Sequence, residues 1–224
     1  MLFIRFTITF ATLYLLAITA FAQGTFTITG KLDSLTGTRK VLVKKQDNAS
    51  SRVLTVATGQ ATNGQFTLSQ AVPEMDYYTV SIEGVGGQVS FILDHDVVIS
   101  GTGKDLRTAT VSGSPLTDEW QRFQTGIELP YRDKLMTLYN ERQQNTGNAE
   151  VATRVETETK RLKTEQMANV TAYIRTHADS PLSLFLLSNY ANEFPKPESR
   201  ALFYGLAAPL RNHSVAKRLA NQVK

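Results

Sequence analysis

The sequence predicts a segregated α+β fold: an N-terminal antiparallel β-sandwich followed by a C-terminal all-α helical arm. Two observations carry this. Up to Val111, apolar and polar residues alternate in short runs separated by turn-forming glycine, asparagine and aspartate, the period-two mark of strands buried on one face. From Ser114-Pro115 onward, apolar residues recur at spacings of three and four, the mark of helices. The joins between successive strands are too short for parallel crossovers, which argues for antiparallel pairing. The expected organisation is a signal peptide over residues 1–22, a β-domain over 23–113 and a helical domain over 114–224.

In the first half, Thr25 to Gly30 alternates cleanly. Val41-Leu42-Val43 and Arg52 to Val56 follow as strand-forming runs. Asn63-Gly64 is a strong hairpin signal, because both positions tolerate positive φ, and Phe66-Thr67-Leu68 resumes the strand. Tyr77 to Ile82, Val89 to Leu93, Val97 to Ile99 and a last short strand over Thr108 to Val111 complete the set. Seven or eight such strands suit a sandwich. In the second half, Ser114 caps a helix whose first turn holds Pro115, with Asp118 and Glu119 near its positive end. Trp120, Phe123 and Ile127 form its buried stripe, and Pro130 is expected to break it. Another helix runs to about Gln144. A long helix then carries a narrow stripe of Val151, Val155, Leu162, Val170 and Ile174. Leu182 to Leu187 is the most apolar run after the N-terminal segment and is expected to be the central helix. Phe194 to Pro197 reads as a linker, and helices over Ala201 to Leu206 and Val215 to Val223 close the set.

Composition narrows the function classes. The 224 residues are 42% hydrophobic and 20% charged, with a net charge of +4, enough for a sizeable core. The positive charge is interleaved rather than clustered, which excludes phosphate-backbone binding as a main activity, so no nucleic-acid partner is expected. Residues 1–22 hold one cation, Arg5, then an apolar run ending in Ala20-Phe21-Ala22, the pattern of a signal peptide cleaved before Gln23. Its removal leaves a net charge of +3 and no membrane span. The chain has no cysteine, hence no disulfide, thiolate nucleophile, cysteine metal site or lipoprotein anchor. These features predict a periplasmic protein.

No chemistry-bearing motif survives testing. Ser100 to Lys104 superficially resembles a phosphate loop, but Val98 and Asp105 stand where that motif needs glycine and a hydroxyl, so a hairpin turn is expected. Asp94-His95-Asp96 offers three ligand types in succession, yet adjacent strand residues face opposite ways, so a turn is again expected. His95, His177 and His213 lie in no metalloprotease pattern, and no serine elbow occurs. Trp120, Tyr173, Tyr190 and Phe203 fall at helical core positions. Asn48, Asn169 and Asn212 open N-glycan acceptor tripeptides of a kind that arise by chance. No catalytic, cofactor-binding or metal-ligating residue is assigned.

Thr27-Ile28-Thr29-Gly30-Lys31-Leu32, Asn63-Gly64-Gln65-Phe66, Phe91-Ile92-Leu93 and Val111-Ser112-Gly113-Ser114 resemble the landmarks of a β-domain of unknown function found in Bacteroidota-type envelope proteins. In that family the β-domain precedes a helical stretch and then a TlpA/ResA-like thioredoxin domain of the AhpC/TSA type. His177-Ala178-Asp179-Ser180-Pro181 is similar to the family's start of an apolar helix. The resemblance implies that this chain stops where the thioredoxin domain would begin, and without cysteine the redox chemistry transfers to no residue here. Asp33-Ser34-Leu35 resembles an O-glycan acceptor of such bacteria. The expected function is a non-catalytic envelope module that binds or scaffolds, docking a separate thioredoxin-like protein or self-associating through its helical half. The alternative is a small-molecule or glycan binder using the sandwich loops and Tyr77 or Tyr78. A hydrolase with a site assembled in space is the third reading.

Overall fold

A computed structural model describes residues 24–47, 52–72 and 75–222. The proposed signal peptide and the acceptor tripeptide at Asn48 lie outside the described residues. Eight strands come first: β1 (Gly24–Asp33), β2 (Thr38–Gln46), β3 (Val53–Thr62), β4 (Gln65–Val72), β5 (Asp76–Ile82), β6 (Val89–Leu93), β7 (Val97–Thr102) and β8 (Thr110–Ser112). They run in the order β6-β5-β2-β3-β4-β1-β7-β8 and curl nearly into a barrel. Among the described residues the ladder between β3 and β4 is one pair, Thr62↔Gln65, at the hairpin tip. Beyond it β3 follows β2 and β4 follows β1.

Alternation produces this shape. Ile28, Gly30 and Leu32 of β1 turn inward, as do Tyr78, Val80 and Ile82 of β5. They meet Val41, Val43, Phe91 and Ile99 in one apolar core. Gly30 stands opposite Phe66 in the ladder. A methyl group at position 30 would lie 1.9 Å from the Phe66 ring, so only glycine admits the ring there. The Asn63-Gly64 turn has φ of +49° and +79°, the conformation its sequence calls for. One pairing departs from the antiparallel expectation: β1 and β7 are parallel, from Ile28↔Val97 to Asp33↔Thr102. Short joins rule out parallel pairing between successive strands, but these two are separated by most of the domain.

The helices follow as α1 (Pro115–Phe123), a π-helical turn (Gln124–Glu128), α2 (Leu129–Gln144), α3 (Ala149–Thr176), α4 (Pro181–Asn189), α5 (Lys196–Gly205) and α6 (Ser214–Gln222), with a 3-10 turn over Ala208–Asn212. Ser114 caps α1 through its side chain, as its position predicts. Pro130 does not break the helix. The Leu129 amide reaches back five residues to the Gln124 carbonyl, and this wider turn absorbs the donor that proline lacks, so α1 passes continuously into α2. Lys196 and Pro197 likewise do not link elements but open α5, with proline in the first turn.

Leu182 to Leu187 are all buried at the centre of the helical core. That core also takes in Ile92 of β6 and packs against Tyr77 of β5, which are cross-strand partners on the outer face of the sheet. The β- and α-parts therefore share apolar surface. α2 and the first half of α3 form an antiparallel arm with its own small cluster of Tyr131, Leu138, Val155 and Leu162.

Candidate site: a cleft at the joint between sheet and helices

The joint begins where β6 runs out of neighbours. Its outer edge is closed by side chains rather than by a strand. Thr117 Oγ1 accepts from the Ile92 amide and donates to the Ile92 carbonyl, each at 3.0 Å. The Ser114 hydroxyl accepts from the Thr117 amide and lies within bonding distance of both the Ile92 carbonyl and the Asp94 carboxylate. Both residues are fully buried. Two hydroxyls thus do what a ladder would do, and they fix α1 against the sheet.

Beside this seam lies an open cleft of about 790 Å³. Its walls come from α1, the π turn, the end of α3 and the start of α4, with Met75 and Asp94 contributed by the β-domain. Leu116, Phe123, Ile127 and Pro181 make its apolar lining. Gly126 opens one wall, since a side chain there would meet nothing within 4 Å. The π turn places Gly126 and Ile127 on that wall, and such turns recur at functional sites.

Glu119 organises the polar side. Its two carboxylate oxygens accept from the Tyr173 hydroxyl at 2.6 Å and from the Ser180 hydroxyl at 2.8 Å, tying α1 to the ends of α3 and α4. Burial, reinforced by the bonded Glu119 carboxylate, pushes the Tyr173 phenol well above its ordinary value. The His177 ring stacks on Tyr173 at 4.1 Å, with its Nδ1 edge against the Tyr173 carbonyl and the Thr176 hydroxyl. Ser180 also accepts from the Leu182 amide as the cap of α4. Serine, histidine and acid therefore meet in one place, but the serine hydroxyl goes to Glu119 and to a helix cap, not to the imidazole. Asp94, Arg122 and Asp179 also line the cleft.

The tested sequence motifs lie as follows. Asp94, His95 and Asp96 do form a turn. Asp94 faces Ser114, Asp96 accepts from the Thr27 amide at 2.7 Å and His95 is largely exposed. Among the described residues no group of three or more acidic or imidazole side chains could hold a metal ion. Ser100 to Thr102 lie within β7, and the Gly103 amide donates to the Asp33 carbonyl, so no phosphate cradle forms. His213 is buried at the start of α6, donating from Nε2 to the Met75 carbonyl and accepting the Val215 amide at Nδ1. Tyr77 and Tyr78 are not loop platforms. Tyr78 is buried in the β-core, and Tyr77 packs against Trp120 and Phe185 beneath the helices. Sequence reasoning missed Glu119, Arg122 and Gly126 as a constellation. The available signal was the repeated Ser-Pro pair, since Ser114-Pro115 and Ser180-Pro181 both start helices at this cleft.

Among the described residues no helix is long and apolar enough to cross a membrane. Neither a curated protein nor a solved structure matches the chain. Residues 26–120 match a domain of unknown function (DUF4369), and that match runs past the last strand into α1, through the residues that close the β6 edge.

Proposed function

We propose that the chain is a non-catalytic binding module of the bacterial cell envelope, exported by its N-terminal segment and accessory to a separate thioredoxin-like protein. The observation that carries this reading is the joint cleft, a concave and largely apolar site of about 790 Å³ with a few fixed polar groups. That size and lining suit a binding site. The polar groups already have structural duties: Glu119 bridges three helices, and Ser180 caps α4. Groups held in this way orient a ligand better than they activate a nucleophile, which needs a base in contact. The thioredoxin-like partner is suggested by the resemblance of the strand landmarks and of His177 to Pro181 to proteins in which such a domain follows. The absence of exposed aromatics at Tyr77 and Tyr78 moves the binding surface from the sandwich loops to the joint.

The test is a crosslinking capture from the native periplasm, read by mass spectrometry, with the wild type beside Gly126→Phe. Position 126 faces open space, so phenylalanine fills the cleft without displacing the core. Capture of a thioredoxin-like protein by the wild type and its loss in the variant is the expected result. Equal capture by both, or none by either, would overturn the assignment.

A further inference from the structure

The charges that line the joint cleft are unequally engaged. They are three carboxylates and one guanidinium: Asp94, Glu119, Asp179 and Arg122. Asp94 has one oxygen against the Ser114 hydroxyl and the other 3.1 Å from the His95 imidazole. Glu119 has one oxygen on Tyr173 and one on Ser180. Arg122 and Asp179 differ from these. Both are exposed, and among the described residues neither side chain has a hydrogen-bond or ion-pair partner. They flank the Glu119 bridge. Arg122 lies about one turn further along α1, and Asp179 precedes Ser180 in the turn between α3 and α4. They come from different walls of the cleft and share it with the apolar lining of Leu116, Phe123, Ile127 and Pro181.

We infer that the segment of the partner protein that enters this cleft is a short apolar stretch carrying one acid and one base, the acid for Arg122 and the base for Asp179. This rests on the reading of the cleft as the binding site and adds the chemistry of its occupant. The other charge patterns fit worse. A purely acidic segment meets three carboxylates, and like charges brought together oppose binding. A purely basic segment sets a cation against Arg122. A neutral segment covers Arg122 and Asp179 and leaves both charges without a partner as water is displaced. A mixed segment gives the guanidinium a carboxylate, which its forked donors suit, and gives Asp179 an ammonium or guanidinium. Its apolar residues then lie on Leu116, Phe123 and Ile127, and Met75 supplies a side chain that adapts to their shape.

Fluorescence polarisation with labelled peptides tests this. The probes share a leucine-rich core, are blocked at both ends, and are flanked by glutamate and lysine in either order, by either charge with glutamine, by two like charges, or by glutamine alone. One of the mixed-charge probes should bind tightest, each charge adding about fivefold over glutamine, the scale of an exposed ion pair. Arg122→Gln should erase the gain from glutamate and keep that from lysine, and Asp179→Asn should do the reverse. Both side chains are exposed, so both variants should keep the wild-type circular dichroism. Gly126→Phe should weaken every probe, the glutamine-flanked one included. Equal binding of charged and neutral probes overturns the inference. So does tightest binding of a probe with two like charges, or a charge preference that survives both substitutions. In each of these cases loss of the neutral probe in Gly126→Phe still keeps the cleft as the binding site. Binding of no probe also overturns the inference, and the capture experiment then decides the cleft by itself.

Discussion

Glu119 shows how one side chain can carry several elements. Its carboxylate accepts two hydroxyl hydrogen bonds from residues 54 and 61 positions away. Glu119→Ala leaves the Tyr173 and Ser180 hydroxyls without their acceptor in a partly buried setting. It should cost about 2 kcal/mol, a fall in Tm of about 4–8 °C by circular dichroism. Gly30 is the opposite case, a residue whose role is to be absent. Gly30→Ala drives a methyl group into the Phe66 ring and should destabilise by about 3 kcal/mol in denaturant unfolding. Pairing it with Phe66→Leu, which vacates the ring's edge, should return part of that loss, and strictly additive costs would refute the account. Gly30 and Phe66 were both visible in the sequence as landmarks, one in each of two strands. Their contact was not, because it depends on the β1–β4 register, which no local pattern encodes.

Elements were read best where periodicity and caps agree. Ser114-Pro115 and Ser180-Pro181 start helices where their chemistry requires, and Leu182 to Leu187 occupy the centre of the helical core. Pro130 was misread because proline removes one i→i−4 bond but does not forbid a wider turn. The substitution of hydroxyls for a strand at β6 was illegible for another reason. Thr117 reads as an ordinary first-turn helical residue until Ile92 is placed beside it. Thr117→Val keeps the shape and removes both bonds, leaving a buried amide and weakening the hold on a buried carbonyl. The expected cost is about 2–3 kcal/mol, and amide exchange at Ile92 should quicken selectively. Unchanged protection at Ile92 would mean that the edge is held by something else.

For the whole molecule, the sheet and the helices keep separate apolar clusters, but the helical one reaches into the sheet. Ile92 and Tyr77 belong to the sheet by hydrogen bonding and to the helices by packing. Trp120 fluorescence and far-ultraviolet circular dichroism should therefore report one coincident transition. The phenols sharpen this expectation. Burial raises Tyr77, Tyr173 and Tyr190, with further upward pushes from Glu128 on Tyr77 and Tyr190 and from Glu119 on Tyr173. A folded-state value above that of the unfolded chain means that stability is intact below about pH 10 and falls as pH rises beyond it, since the unfolded tyrosines release their protons first. Alkaline titration should show these phenols ionising only as the protein unfolds, and early ionisation with the fold intact would contradict it. The joint cleft was the least legible feature, because its walls come from segments spread between Met75 and Pro181.

The parallel seating of β1 against β7 also sets a clock. Thr27 and Asp96 are 69 positions apart, so the first strand made is among the last to be completed. Closing so long a loop is entropically slow and is favourable only once the neighbouring ladders stand. β8, the seal on β6 and the start of α1 follow directly behind β7 in the chain. Assembly of the joint should therefore coincide with the slowest phase of refolding, so that the cleft appears only on molecules whose sheet is already complete.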